Sequence, residues 1–115
     1  MTRHDPLPRP EHMLDAAKEA VSLAGGRSRS SLDEERLLDL SLKYLVQTVG
    51  EAAARIPLHE QERNPEIPWV QIVGMRNRIV HGYDALDLDA LWSTVTEDLP
   101  ALIPLLQAAI VRNRR

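Results

Sequence analysis

The stretch "WVQIVGMRNRIVHGY", Trp69 to Tyr83, decides how this chain is read. Its apolar residues recur at three- and four-residue spacing, which predicts a helix from Pro68 to about His81, with Gly82 ending it. On a wheel advancing about 100° per residue, Trp69, Ile72, Val73, Ile79 and Val80 form one apolar face. Arg76 falls in the middle of that face. A guanidinium keeps its charge, so it must meet a carboxylate, a phosphate or a cleft left wet. Asn77 and His81 are four residues apart and share an edge beside the face, while Arg78 points nearly opposite. Arg76 and His81 diverge by roughly 140° on an undistorted helix. Either the helix loosens near Gly82 or a twofold dimer brings two copies to one cleft. The dimer is preferred, because it also gives Arg76 a reason to sit on a buried stripe.

The same periodicity extends to either side. Pro10 suits the first turn of a helix carrying Met13, Ala16, Ala17, Ala20, Val21 and Ala24, which Gly25 and Gly26 stop. Ser31 and Glu34 read as a capping box opening a long helix over 31–56, with a stripe of Leu38, Ser41, Leu45, Val49, Ala52 and Ile56. Gly50 inside it should cost about 1 kcal/mol relative to Ala, which implies close approach by a neighbouring helix or a kink. Residues 57–67 are a charged connection with room for a short helical turn. Asp87 is placed to cap a further helix with Leu88, Leu91, Trp92, Val95 and Leu99 on one face. Pro100 should break or kink that helix before a last segment carrying Leu102, Ile103, Leu106 and Ile110. With no alternating strand pattern, the expectation is an all-α, antiparallel bundle of four to five helices over residues 9–115, preceded by a flexible arm at 1–8.

Composition narrows the function. At 115 residues the chain is one domain. The 14 Lys and Arg against 17 Asp and Glu exclude a nucleic-acid surface built on bulk positive charge, so any such activity must use a local cluster. The absence of Cys excludes disulfides, Cys-ligated zinc and thiol nucleophiles. The first residues lack the apolar core of a signal peptide, and "ALIPLLQAAIV" is short for a bilayer span and holds Pro104 and Gln107. A soluble, cytoplasmic protein is expected. His4, His12 and His59 have no ligand spacing, so no metal or cofactor is expected and they read as surface histidines.

An arginine beside a histidine suits phosphodiester cleavage by acid–base catalysis. Imidazole, with an ordinary pKa of about 6.5, can take a proton from a ribose 2′-hydroxyl or give one to the leaving oxygen. A guanidinium can hold the phosphate and the charge that builds on it. The residue types alone also allow a satisfied edge histidine and an arginine paired to a helix carboxylate.

The ordered set "EHMLDA" (11–16), "GEAA" (50–53), "NPEIPW" (64–69), "GMRNRIVHGY" (74–83) and "TEDLP" (96–100) resembles the HEPN superfamily, and within it the HepT branch. That resemblance covers nearly the whole chain. It implies a helical-bundle homodimer acting as a metal-independent endoribonuclease toxin on RNA. Its implied partner is a minimal nucleotidyltransferase antitoxin that neutralises it by AMPylation. It implies that Arg76 and His81 are catalytic, that Asn77 orients or contacts phosphate, and that Tyr83 is the residue modified. Arg78 is carried as a supporting, RNA-binding candidate. Phosphate added at Tyr83 would repel RNA from the basic cleft. The chain departs from the family in having Tyr44 and Gln47 where many relatives have Arg and Glu ahead of "GEA".

Other readings stay open. A non-catalytic helical module could bind a nucleotidyltransferase or a nucleotide without histidine chemistry, and a purely structural dimer would make Arg76→Met neutral or stabilising. Trp69 and Trp92 read as core or interface residues, with base stacking as the alternative. The basic tail "VRNRR" complements a helix dipole or attracts RNA. Asp84 and its neighbours Asp87 and Asp89 could repel RNA, pair with Arg78 or cap the following helix.

Overall fold

The fifteen residues from Pro10 to Ala24 form the first helix, and its small inward positions let a neighbour come close. A computed structural model describes residues 10–81 and 85–113, with side chains outside 80–86. The expected arm at 1–8, His4, and Gly82, Tyr83 and Asp84 lie outside the described residues. Helix α1, Pro10–Ala24, buries Met13, Ala16, Ala17 and Ala20. Helix α2, Ser31–Glu34, and helix α3, Arg36–Ala54, follow. Helix α4 is Leu58–Arg63, α5 is Trp69–Val73 and α6 is Met75–Ile79. A two-residue antiparallel pair, β1 (Val80–His81) with β2 (Ala85–Leu86), leads into α7, Leu88–Ser93, and α8, Leu99–Asn113. Between them Thr94–Asp98 winds as a π turn. The architecture is an all-α bundle: α1 packs on α3 and α8, and α3 packs on α5 and α6. Leu42, Val46, Val49, Leu91, Val95, Leu99 and Leu106 fill the centre.

Several expectations change in detail. The helix expected over 31–56 is broken at Glu35, whose backbone is extended. On one straight helix Leu32 and Leu38 would diverge by about 120°, yet both are buried, and the break allows it. Ser31 is not the cap. Its hydroxyl accepts from the Ser28 N–H, within the turn that precedes α2. Gly50 is explained by close approach: a Cβ there would stand 3.1 Å from the Ile72 carbonyl oxygen. Asp87 caps α7 as expected, its Oδ1 accepting from the Ala90 N–H at 3.0 Å.

Pro100 does not end the last helix, which runs without interruption from Leu88 to Asn113. A proline ring crowds the carbonyl four residues earlier and supplies no donor to it. The wider π winding just before Pro100 absorbs this, with the Leu99 N–H reaching back five residues to the Thr94 carbonyl. Thr94 and Thr96 hydroxyls donate to the Ala90 and Trp92 carbonyls at 2.8 and 2.7 Å, adding donors in the same stretch. At 26 residues this helix is, by length and composition, long and apolar enough to cross a membrane. Its inward residues Leu91, Val95, Leu99, Leu102 and Leu106 nevertheless belong to the bundle core.

The connection from α3 to α5 is a built element. Gln61 Nε2 donates to the Ala53 and Ile56 carbonyls, and Trp69 Nε1 donates to the Gln61 and Asn64 carbonyls, both at 3.1 Å. Asn64, 2% exposed, donates to the Glu60 carbonyl and accepts from Arg112, which also pairs with Glu66. Buried polar groups that are fully partnered in this way fix a loop instead of destabilising it. Trp69 is therefore core, with its ring edge committed to backbone.

Candidate functional site

The buried side of α5 and α6 is rotated from the one expected. Trp69, Ile72, Met75 and Ile79 face inward, whereas Val70 is 84% exposed and Val73 41%. Arg76 is exposed as well, so it does not lie on a buried stripe within the protomer. The reason is the position of α5 and α6 at one side of α3, with the groove toward α8 taking Ile72 and Met75. Val70, Val73 and Asn77 fall on the side away from the core, at helical spacing, with Arg76 beside them.

The helix also ends early. Gly74 separates α5 from α6, and α6 stops at Ile79, two residues before His81. The β-branched pair Ile79 and Val80 favours extended backbone, and here the chain turns into the short β ladder. The Asp87 N–H then donates to the Ile79 carbonyl at 2.7 Å, closing the segment across its base. His81 therefore leaves the helix, and the 140° divergence from Arg76 expected of an unbroken helix no longer applies. Its backbone pairs with Ala85. The loosening weighed against the dimer thus occurs, and it occurs earlier than Gly82. The side chain of His81 and all of Tyr83 lie outside the described residues.

Arg78 has a different position from Arg76 and Asn77. Its Nη2 donates to Asp98 Oδ2 at 2.5 Å and to Thr94 Oγ1 at 3.2 Å. Neither Asp87 nor Asp89 takes it. Asp87 caps α7, and Asp89 pairs with Arg29 at 2.6 Å, which holds the Arg29 pKa above its ordinary value. Arg78 and Asp98 also line a groove of about 250 Å³ between α5–α6 and α8, floored by Ile72, Met75, Leu102 and Leu105. Sequence reasoning missed Asp98 and Thr94 as partners of Arg78, because nothing local links positions 16 and 20 residues apart. The stretch "TEDLP" was singled out only as a resemblance.

Asp39 was missed too. It is buried on α3, with Arg36 Nη1 3.7 Å from its Oδ1, and that oxygen has no hydrogen-bond partner among the described residues. His12 and His59 are exposed on separate helices. Tyr44, at 67% exposure, and Leu37, at 79%, leave the outer face of α3 partly apolar. What the arrangement offers chemically is an exposed guanidinium and carboxamide side by side on α6, just before the two-residue strand that holds His81. Such a pair can receive a phosphodiester without first breaking a buried contact.

A family model described as "Ribonuclease HepT-like" matches residues 13–109. A protein of Thermococcus cleftensis named "Probable ribonuclease HepT" is 34% identical over 93 residues, covering 77% of this chain and 84% of that one. A candidate RNase of Caldanaerobacter subterraneus is 26% identical over 97 residues, covering 84% and 87%. Another, from Methanocaldococcus jannaschii, is 26% identical over 90 residues, covering 78% and 83%. No solved structure matches.

Proposed function

Since this chain belongs to the HepT-like ribonuclease family, it is read as an endoribonuclease, and we propose that it cleaves RNA without a metal through Arg76 and His81. The observation that carries this is the exposure of Arg76 and Asn77 on α6, together with the end of that helix before His81. The imidazole of His81 takes the proton from a ribose 2′-hydroxyl, and the 2′-oxygen attacks the adjacent phosphorus. The bond to the 5′-oxygen breaks, and that oxygen leaves with a proton from an imidazolium. The products are a 2′,3′-cyclic phosphate and a free 5′-hydroxyl. Arg76 donates to the non-bridging oxygens, whose charge grows in the transition state. Asn77 adds a neutral donor beside it.

The reading extends to a twofold dimer in the cytoplasm. Its support is the apolar surface left by Val70 and Val73 next to Arg76, and by Leu37 and Tyr44 on α3, which packs against α5 and α6. A dimer across this side would set two copies of the Arg76 and His81 segment at one cleft. A second part of the proposal is regulatory: the protein is the toxin of a toxin–antitoxin pair, and a nucleotidyltransferase antitoxin silences it by transferring AMP to Tyr83. An added phosphodiester there would bring negative charge next to Arg76 and compete with RNA for it.

The mechanism is tested with a single-stranded RNA in EDTA, compared with the same RNA carrying 2′-deoxyribose at the cleaved position. Cleavage of the first, with 2′,3′-cyclic phosphate ends by mass spectrometry, and none of the second is expected. Equal cleavage of both substrates would contradict 2′-hydroxyl attack. Incubation with a nucleotidyltransferase and ATP should add mass in units of AMP to the wild type but not to Tyr83→Phe.

A further inference from the structure

We propose that Asp98 and Thr94, acting through Arg78, are positioning residues that fix the orientation of α6 and hence of Arg76; this rests on the ribonuclease reading above. Helix α6 is five residues long, Met75–Ile79, bounded by Gly74 on one side and the β ladder on the other. A single turn does not hold itself in water. Its inward anchors are Met75 and Ile79, 3% and 0% exposed, which lie four residues apart on one line along the helix. Two anchors on one line leave the helix free to roll about it. Arg78 leaves the helix away from that line and is held on the flank facing the π turn.

The acceptors are themselves fixed. Thr94 is 1% exposed and spends its hydroxyl proton on the Ala90 carbonyl at 2.8 Å, so its oxygen is left to accept from Arg78. Asp98 closes the π turn, beside fully buried Leu99 and the rigid Pro100. Stability does not account for the pair. The side chains of Arg78 and Asp98 are 51% and 39% exposed, and ion pairs this exposed contribute little to folding. What the pair adds to the holds at the end of α6 is control of its roll. A side chain reaching roughly 6 Å from the helix axis moves about 1 Å for a 10° roll. Arg76 lies two residues from Arg78, on the other side of the helix, and is displaced by any such roll. Misplacement of a catalytic group by about 1 Å can cost a hundredfold in rate.

The competing role for Arg78, direct contact with RNA, makes the opposite forecast. Freeing a guanidinium from Asp98 would then strengthen RNA binding. The test measures kcat and KM for RNA cleavage by wild type, Asp98→Asn, Thr94→Val, Arg78→Met and Arg78→Lys, together with amide hydrogen exchange over residues 75–79. The positioning role gives a tenfold to hundredfold fall in kcat for Asp98→Asn and Arg78→Met, little change in KM, recovery in Arg78→Lys, and faster exchange in α6. The double variant Asp98→Asn/Arg78→Met should be no worse than either single one, since both break the same contact. A fall in KM for Asp98→Asn with a rise for Arg78→Met would assign Arg78 to RNA and overturn the proposal. Unchanged kcat and unchanged exchange would overturn it as well. Hydrogen exchange needs no activity, so a wild type that fails to cleave RNA would sink the ribonuclease reading while faster exchange in Asp98→Asn still supported the clamp.

Discussion

The chain enters the paired helices α5 and α6 through one kind of structure and leaves through another. The way in, residues 57–69, is a web of side-chain-to-backbone hydrogen bonds centred on Gln61, Asn64 and Trp69 and tied to α8 by Arg112. On the way out, β1 and β2 pair over two residues each, with one backbone bond from Asp87 to Ile79 and the cap on α7. The first region puts its polar groups in the core and satisfies them. The second carries His81 and follows directly on Arg76 and Asn77, which face solvent on α6. Residues that build the scaffold and the residues proposed for the chemistry thus occupy opposite ends of one short helical pair. Substitutions at the two ends should separate stability from activity.

The largest effect is expected at the inward end. Trp69→Ala removes a buried ring and one of the two donors to each of the Gln61 and Asn64 carbonyls, which keep the Asn64 and Ile67 backbone N–H groups. It should cost about 3–5 kcal/mol, read by chemical denaturation, and activity should be lost with the fold. Next is Gly50→Val. A branched side chain there meets the α5 backbone, since even a Cβ stands 3.1 Å from the Ile72 oxygen. The expected loss is about 1–3 kcal/mol, and a neutral result would mean that α5 is free to move away from α3. At the outward end, Asp87→Ala removes the cap on α7 and should cost about 1 kcal/mol. RNA cleavage should change little, because the backbone N–H that closes the segment at the Ile79 carbonyl is present in alanine too.

The smallest effect is a pH dependence at the inward end. The Arg112 guanidinium hydrogen-bonded to Glu66 holds its carboxyl below the ordinary value of 4.5. A carboxyl whose folded pKa is lowered stabilises the fold above its ordinary value and stops doing so as pH falls through the lowered one. Stability of the wild type should therefore drop on acidification below about pH 4.5 by more than that of Glu66→Gln. The pair is about half exposed, so the difference should stay below about 1 kcal/mol. Equal acid sensitivity in the two proteins would remove Glu66 from the account of how α8 is tied down.

How far the sequence alone could go follows the same division. Local signals were reliable where local physics decides. Pro10 opens α1, Asp87 caps α7, and Gly50 marks a close helix approach. The all-α class followed from periodicity without a competing strand pattern. Most of the misreadings turn on neighbours distant in sequence. A wheel cannot say which neighbours flank a helix, so Arg76 was placed on the buried face although Met75 takes that position. Arg78 could not be assigned without Asp98, twenty residues on. Ser31 and Glu34 fit a capping box, but burying both Leu32 and Leu38 breaks the helix at Glu35 instead. Pro100 suggests a break or kink, because nothing in its spacing announces a π turn. Of the candidate site, the grouping of Arg76, Asn77 and His81 on one segment was legible, and the exposure of Arg76 was not. The clamp on Arg78 was not.

The central claim is that Arg76 and His81 perform the cleavage, and it is tested most directly on purified protein with single-stranded RNA in EDTA. Wild type should cleave, and His81→Ala should be slower by a factor on the order of 10²–10⁴, with its denaturation midpoint unchanged. Arg76→Ala should fall comparably. Cleavage by His81→Ala at the wild-type rate would contradict the account.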